Sequence, residues 1–120
     1  MLAKKLVQDF YKSDALINSN IMKLYLHPEV ILDWNSSKGF LQLKYDDIVA
    51  LAGELGRAYI RSKVRMSHLL QDGSNIIVRY SHYIKTVENP REEMLLAHFF
   101  VIWEVKDEKL FRGYQMSQIS

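Results

Sequence analysis

At 120 residues, with 48% hydrophobic and 25% charged side chains, the sequence has the balance of an ordinary globular chain, long enough to bury roughly two thirds of the surface its unfolded form exposes. It holds no cysteine, which excludes disulfides, thiolate nucleophiles and zinc-thiolate centres, and its net charge is only +2. No apolar run reaches the roughly 18 residues that a membrane span needs, and the start "MLAKKLVQDFYKSD" is broken by charges too often for a signal peptide, so a cytoplasmic chain without membrane attachment is expected.

Leu2, Leu6 and Phe10, with Val7 and Tyr11 beside them, recur at helical spacing and predict an amphipathic helix to about residue 14. Asn18 or Ser19 can cap a second, short helix over Ile21, Met22, Leu24 and Tyr25, which must stop before Pro28. "EVILDWN" reads as a short strand, and "SSKG" as the turn after it. Asp46 and Asp47 then favour the positive end of a third helix whose apolar side is Ile48, Leu51, Ala52, Leu55 and Tyr59. Gly53 and Gly56 within it predict close packing of that helix on a sheet.

The most basic stretch, Arg57, Arg61, Lys63 and Arg65, reads as a solvated strand face, because neither an aromatic stacking pattern nor a Gly-rich loop accompanies it. No nucleic-acid partner is expected. From there the pattern turns to long strands over 62–71, 76–87, 94–106 and 109–118, separated by the turn-compatible "DGSN", "ENPRE" and "DE". They predict an antiparallel meander. Helices first and strands second is the α+β order, within one domain over residues 1–120.

In "LLAHFFVIWEV" the odd positions from Leu95 to Val105 are all apolar, whereas the even set contains His98, Phe100, Ile102 and then Glu104. Both faces of this strand need cover. An antiparallel sheet buries one face on its helices, so the face of His98, Phe100 and Ile102 is the expected contact surface of a homodimer.

The element order, with "LHPEVILDW" near residue 30 and "VIWEVKDEKLFRGYQ" near the end, resembles the nuclear transport factor two-like superfamily over essentially the whole chain. That group includes SnoaL-like polyketide cyclases, ketosteroid isomerases, limonene epoxide hydrolases and scytalone dehydratases. The resemblance implies a cystatin-like cone, in which N-terminal helices pack on a strongly curved, mainly antiparallel sheet around an apolar pocket. Set against a ketosteroid isomerase, Asp33 falls on the catalytic base, while Phe10 and Val101 fall where the two oxyanion donors would stand. Losing one such donor typically costs about a hundredfold or more in rate, so steroid isomerisation is not expected. The same comparison puts Phe99, Val101 and Trp103 on the pocket side and His98 on the outer one.

Asp33 is the candidate general base, since a carboxylate at an apolar pocket has its charged form disfavoured. His68 shares a strand face with Val64, Met66 and Leu70, and His82 shares one with Ile76, Val78 and Tyr80. A "DGSN" hairpin would set His68 near Tyr80 with His82 diagonal to it, a cluster able to move a proton. His27, His68, His82 and His98 lack ligand spacings, so no metal is expected, and no cofactor either. The register of "ENPRE" decides whether His82 meets His98. In the last strand either Leu110, Arg112, Tyr114 and Met116 face the pocket, or Phe111, Gly113, Gln115 and Ser117 do. The leading expectation is a small-molecule-binding domain with an apolar pocket lined by Phe10, Tyr80, Phe99, Val101 and Trp103, with isomerase, cyclase or hydratase chemistry on Asp33 assisted by His68 and His82. The alternative is a non-enzymatic binding or dimeric interaction module of the same fold.

Overall fold

The computed structural model describes residues 2–119. The first helix, α1 (Ala3–Lys12), forms on the predicted apolar stripe and buries Val7, Phe10 and Tyr11. Ser13 ends it: its hydroxyl donates to the Phe10 carbonyl at 2.6 Å and accepts the Ala15 N–H at 3.1 Å. A single 3-10 turn (Ala15–Ile17) leads to α2 (Ser19–Tyr25), whose cap is Asn18, accepting the Ile21 N–H at 3.1 Å.

Strand β1 (Leu26–Ser36) starts earlier than the sequence suggests and holds Pro28 inside it. Proline has no N–H to donate, and the pairing of β1 with its neighbour breaks between Leu26 and Ile31, around that residue. A second strand, β2 (Gly39–Lys44), stands where the sequence reading had only a turn and a helix approach. The third helix, α3 (Tyr45–Ala58), starts with the Lys44 N–H donating to the Asp47 carboxylate at 3.0 Å. Tyr59, expected on its apolar side, instead opens β3. Gly56 packs as tightly as predicted but against the 3-10 turn rather than the sheet, for an added Cβ would overlap the Ile17 carbonyl.

The four long strands are β3 (Tyr59–Asp72), β4 (Asn75–Thr86), β5 (Met94–Lys106) and β6 (Lys109–Ile119). Together the strands make one six-stranded sheet in the order β2-β1-β6-β5-β4-β3, antiparallel except where β1 runs parallel to β6. Register shifts interrupt β3–β4, β4–β5 and β5–β6, and such bulges bend a sheet and sharpen its twist. The fold is the α+β cone: helices lie against the concave side, and the core sits between them and Leu32, Val78, Val101 and Leu110. Among the described residues no helix is long and apolar enough to cross a membrane.

The β5–β6 turn is unusual. Asp107 and Glu108 both take left-handed backbone angles, φ 53° and 59°, the geometry of a two-residue hairpin turn in residues that adopt it less readily than Asn-Gly. His27 reaches it from β1. Its Nδ1 accepts the Glu29 N–H at 3.0 Å, leaving Nε2 to carry the proton 3.5 Å from the Asp107 carboxylate.

Candidate functional site

Strand register decides which predicted residues meet. Gly113 faces the concave side, since a Cβ there would lie 2.6 Å from the Trp103 ring and 2.7 Å from Leu32. Gln115 and Ser117 follow it by alternation, opposite Val101 and Phe99, while Tyr114 and Met116 turn outward. Between the two alternatives for the last strand, the Gly113, Gln115, Ser117 set holds, with Leu110 also inside, before the β5–β6 register shift.

Asp33 is not in the cone. It pairs laterally with Gln42 and Tyr114 on the convex face, and the Gln42 side-chain amide donates to its Oδ1 at 3.0 Å. Leu32 and Trp34 take the concave side instead. The reason is phase: one residue of slip in a strand exchanges its faces, and β1 takes its phase from pairing with β6 beyond an irregularity. The assigned general base is therefore corrected. His68 is corrected too. A shift at Ser67 puts Met66, not His68, opposite Tyr80, and turns His68 outward beside Arg79, its Nδ1 3.0 Å from the Ser67 hydroxyl.

The remaining predicted pocket residues, Phe10, Tyr80, His82, Phe99, Val101 and Trp103, all lie on the concave side, and His98, Phe100 and Ile102 lie on the convex one. His82 stands opposite Ala97 and His98 opposite Ser81, so these two imidazoles occupy opposite faces. Among the described residues no group of three His, Asp or Glu side chains gathers as a metal site would need.

The concave interior has a closed end and an open one. At the closed end, near the 106–109 turn, Phe10 packs edge-on against Tyr11, Tyr25 and Trp103 with ring centroids 4.7, 5.3 and 6.5 Å apart. The Trp103 indole N–H donates to the Tyr11 hydroxyl at 2.8 Å, and the Tyr80 hydroxyl is its other polar neighbour. Burial pushes both tyrosines well above their ordinary range, so they stay neutral. These polar tips satisfy one another.

At the open end Trp34, Ser62, Phe99 and Ser117 are only half-buried. Tyr80 stacks flat on Phe99, centroids 4.8 Å apart and planes 10° apart, and the Trp34 and His82 rings each lie 6.4 Å from Phe99. The Trp34 indole N–H donates to the Ser117 hydroxyl at 2.8 Å. The Ser62 hydroxyl and His82 Nε2 are 2.7 Å apart, and burial lowers the imidazole to a pKa of about 4, which leaves it neutral at pH 7. Gln115 differs from all of these. It is 8% exposed, aims into the cone, and its amide has no hydrogen-bond partner among the described residues.

Ser62, Trp34, Gln115 and Ser117 were missed in the sequence reading. Trp34 and Ser62 carried a usable signal, because each alternates with apolar residues of its own strand, Leu32 and Val64. Gln115 carried one as well once Gly113 is placed. Elsewhere, a cleft of about 900 Å³ opens where β1 leaves β6, between Pro28, Lys44 and Asp46. Its Lys109 and Arg112 are committed to the Leu24 and Glu29 carbonyls at 2.6 Å each, which makes them braces for the break in β1.

The sequence matches no protein-family profile and no curated protein. Solved structures do match over nearly the full length. IdmH from Streptomyces antibioticus, proposed to be a polyketide cyclase, superposes with a TM-score of 0.76 at 8% identity, covering 98% of this chain and 92% of that one. A nuclear transport factor two-like protein from Burkholderia pseudomallei K96243 gives 0.68 at 13% identity over 96% and 89%. A limonene-epoxide-hydrolase-like enzyme of M. tuberculosis gives 0.66 at 16% identity over 96% and 81%.

Proposed function

Starting from the cone of the nuclear transport factor two-like superfamily, whose fold this chain has in its SnoaL-like form, we propose that the open end binds a small, mainly apolar molecule. The observation that carries this reading is Gln115. A buried amide without a partner costs about 1–3 kcal/mol, and a ligand oxygen or hydroxyl seated against Phe99 and Trp34 offsets that cost by accepting from or donating to it.

Solved neighbours described as a polyketide cyclase and an epoxide hydrolase make isomerisation, cyclisation or hydration the matching reaction classes. Proton transfer then falls to His82 in place of Asp33. At 2% exposure the imidazole itself is closed off, so the Ser62 hydroxyl on its Nε2 is the group a ligand meets, and the proton passes through it. A second reading, binding without chemistry, draws on Phe10 and Val101: both are buried and apolar where an oxyanion would need donors.

Ligand-detected NMR with naphthalene and 2-naphthol tests the seat. Both bind the wild-type chain, naphthol better, and Gln115→Leu removes the preference, a change of roughly two- to tenfold in relative affinity. Asp33→Asn leaves both affinities unchanged. Binding that Trp34→Ala and Gln115→Leu do not alter would place the site elsewhere. A turnover abolished in His82→Gln with probe affinity retained separates the enzymatic reading from the binding one.

A further inference from the structure

The outer face of β5 and β6 is an apolar stripe that nothing in the chain covers. Phe100 is 51% and Met116 64% exposed, Ile102 and Tyr114 lie between them, and Phe40 of β2 stands nearby, also exposed. At the β1 side of the stripe a groove of about 310 Å³ is walled by Phe40, Phe100, Tyr114 and Met116, and the one charged group lining it is Asp33. Gln42 holds one carboxylate oxygen, and no cation of the described residues pairs with it.

Across the stripe, on β4, Arg79 stands opposite Phe100 and His68. Its guanidinium rests on the Ser67 hydroxyl at 2.9 Å and likewise has no carboxylate partner among the described residues. A cation and an anion flank one apolar stripe on opposite sides, each unpaired. Within one copy β6 and β5 keep them apart.

We infer that this face docks a second copy of the chain, sheet against sheet, with Arg79 of each copy seated in the Asp33 groove of the other. The strand order makes the arrangement self-complementary. A two-fold axis along the seam between β5 and β6 exchanges those two strands and exchanges β1 with β4. Tyr114 then lies over Ile102 and Met116 over Phe100, while Asp33 lies over Ile77, one rung from Arg79. A rung is two residues, roughly 7 Å, a span that an arginine side chain covers.

Two convex surfaces touch first along their crests, and the crest here is the apolar seam, with charge set back on both sides. The seam supplies the burial, and the two symmetry-related ion pairs select this register over others. His98, one rung beyond Phe100 and tied to the Ser81 hydroxyl at 2.8 Å, falls at the edge of the contact. The inference is independent of what the cone binds.

Sedimentation of charge-swapped variants tests it. The wild-type chain sediments as a dimer, and Asp33→Arg alone or Arg79→Asp alone weakens self-association about tenfold or more, because each pairs like charges twice across the axis. An equimolar mixture of the two variants restores association, since one copy then carries both cations and the other both anions. A wild-type monomer through the millimolar range overturns the inference, as do single variants that associate like wild type or a mixture that fails to recover. If a reversal disturbs folding by circular dichroism, a double-mutant cycle of Asp33→Asn and Arg79→Gln reads the same coupling: a non-additive loss of affinity supports the pair, and additivity rejects it.

Discussion

The two faces of β5 are drawn from alternate residues of one strand, yet they treat polar groups in opposite ways. On the concave face, Trp103 gives its indole N–H to Tyr11, Val101 and Ala97 are shut away, and the unsatisfied capacity belongs to Gln115 on the neighbouring strand. On the convex face, large apolar side chains stay in water and the charges flanking them, Asp33 and Arg79, have no ionic partner among the described residues. Each face lacks something of a different size. The concave one lacks a few atoms against an amide, the scale of a small molecule; the convex one lacks a whole apolar surface, the scale of another protein.

Truncation breaks this contrast most visibly. Trp103→Ala costs about 3–5 kcal/mol, because a packed indole leaves a cavity that the sheet and α1 cannot close, whereas Phe100→Ala in dilute monomer changes stability by about 0.5 kcal/mol or less. Urea unfolding of both variants at low protein concentration reads the difference directly. Equal losses would mean that the exposed stripe is part of the fold's own core.

His82 sharpens the concave side by titration. Its folded pKa of about 4 lies below the ordinary 6.5, so between those values the unfolded chain holds the proton and the folded chain does not. Stability from the neutral ring is therefore complete above pH 6.5, falls as the pH drops, and is gone below about 4, roughly 3 kcal/mol in all. His82→Gln flattens the melting temperature between pH 4 and 6.5. His68 and His98, on the convex face, serve as controls whose replacement leaves that slope in place.

A smaller effect comes from the strand next to β5. Gly113→Ala pushes a methyl into the Trp103 ring and Leu32, at about 1–3 kcal/mol, while Met116→Ala on the outward side of the same strand is close to neutral in the monomer. Thermal melts of both rank the two faces of β6 as the first experiment ranks those of β5.

Much of this was legible in the letters. The helical spacing of Leu6, Val7 and Phe10, the cap at Asn18 and the alternation from Phe99 to Trp103 each depend on a few neighbouring residues, and each reappears in the structure. What was not legible depends on a partner strand. Strand β2 is short and mostly exposed, so "FLQLK" lacks the buried alternation that marks a strand, and it exists because β1 offers an edge. Asp33 and His68 went to the wrong face for the same reason. Their strands pass through a register break, and a break belongs to a pair of strands, not to either one alone.

The hairpin joining β5 to β6 carries one more lesson, about time rather than space. A turn of Asp107 and Glu108, both in left-handed geometry, is a poor initiator of its own hairpin, although the two strands it joins are adjacent in the chain. The contact that holds Asp107 comes from His27, near the start of the chain, so the last part to leave the ribosome closes on an anchor made long before it. The strand pair that separates the two functional faces thus waits for the N-terminal third, and neither surface exists until both ends of the chain have met.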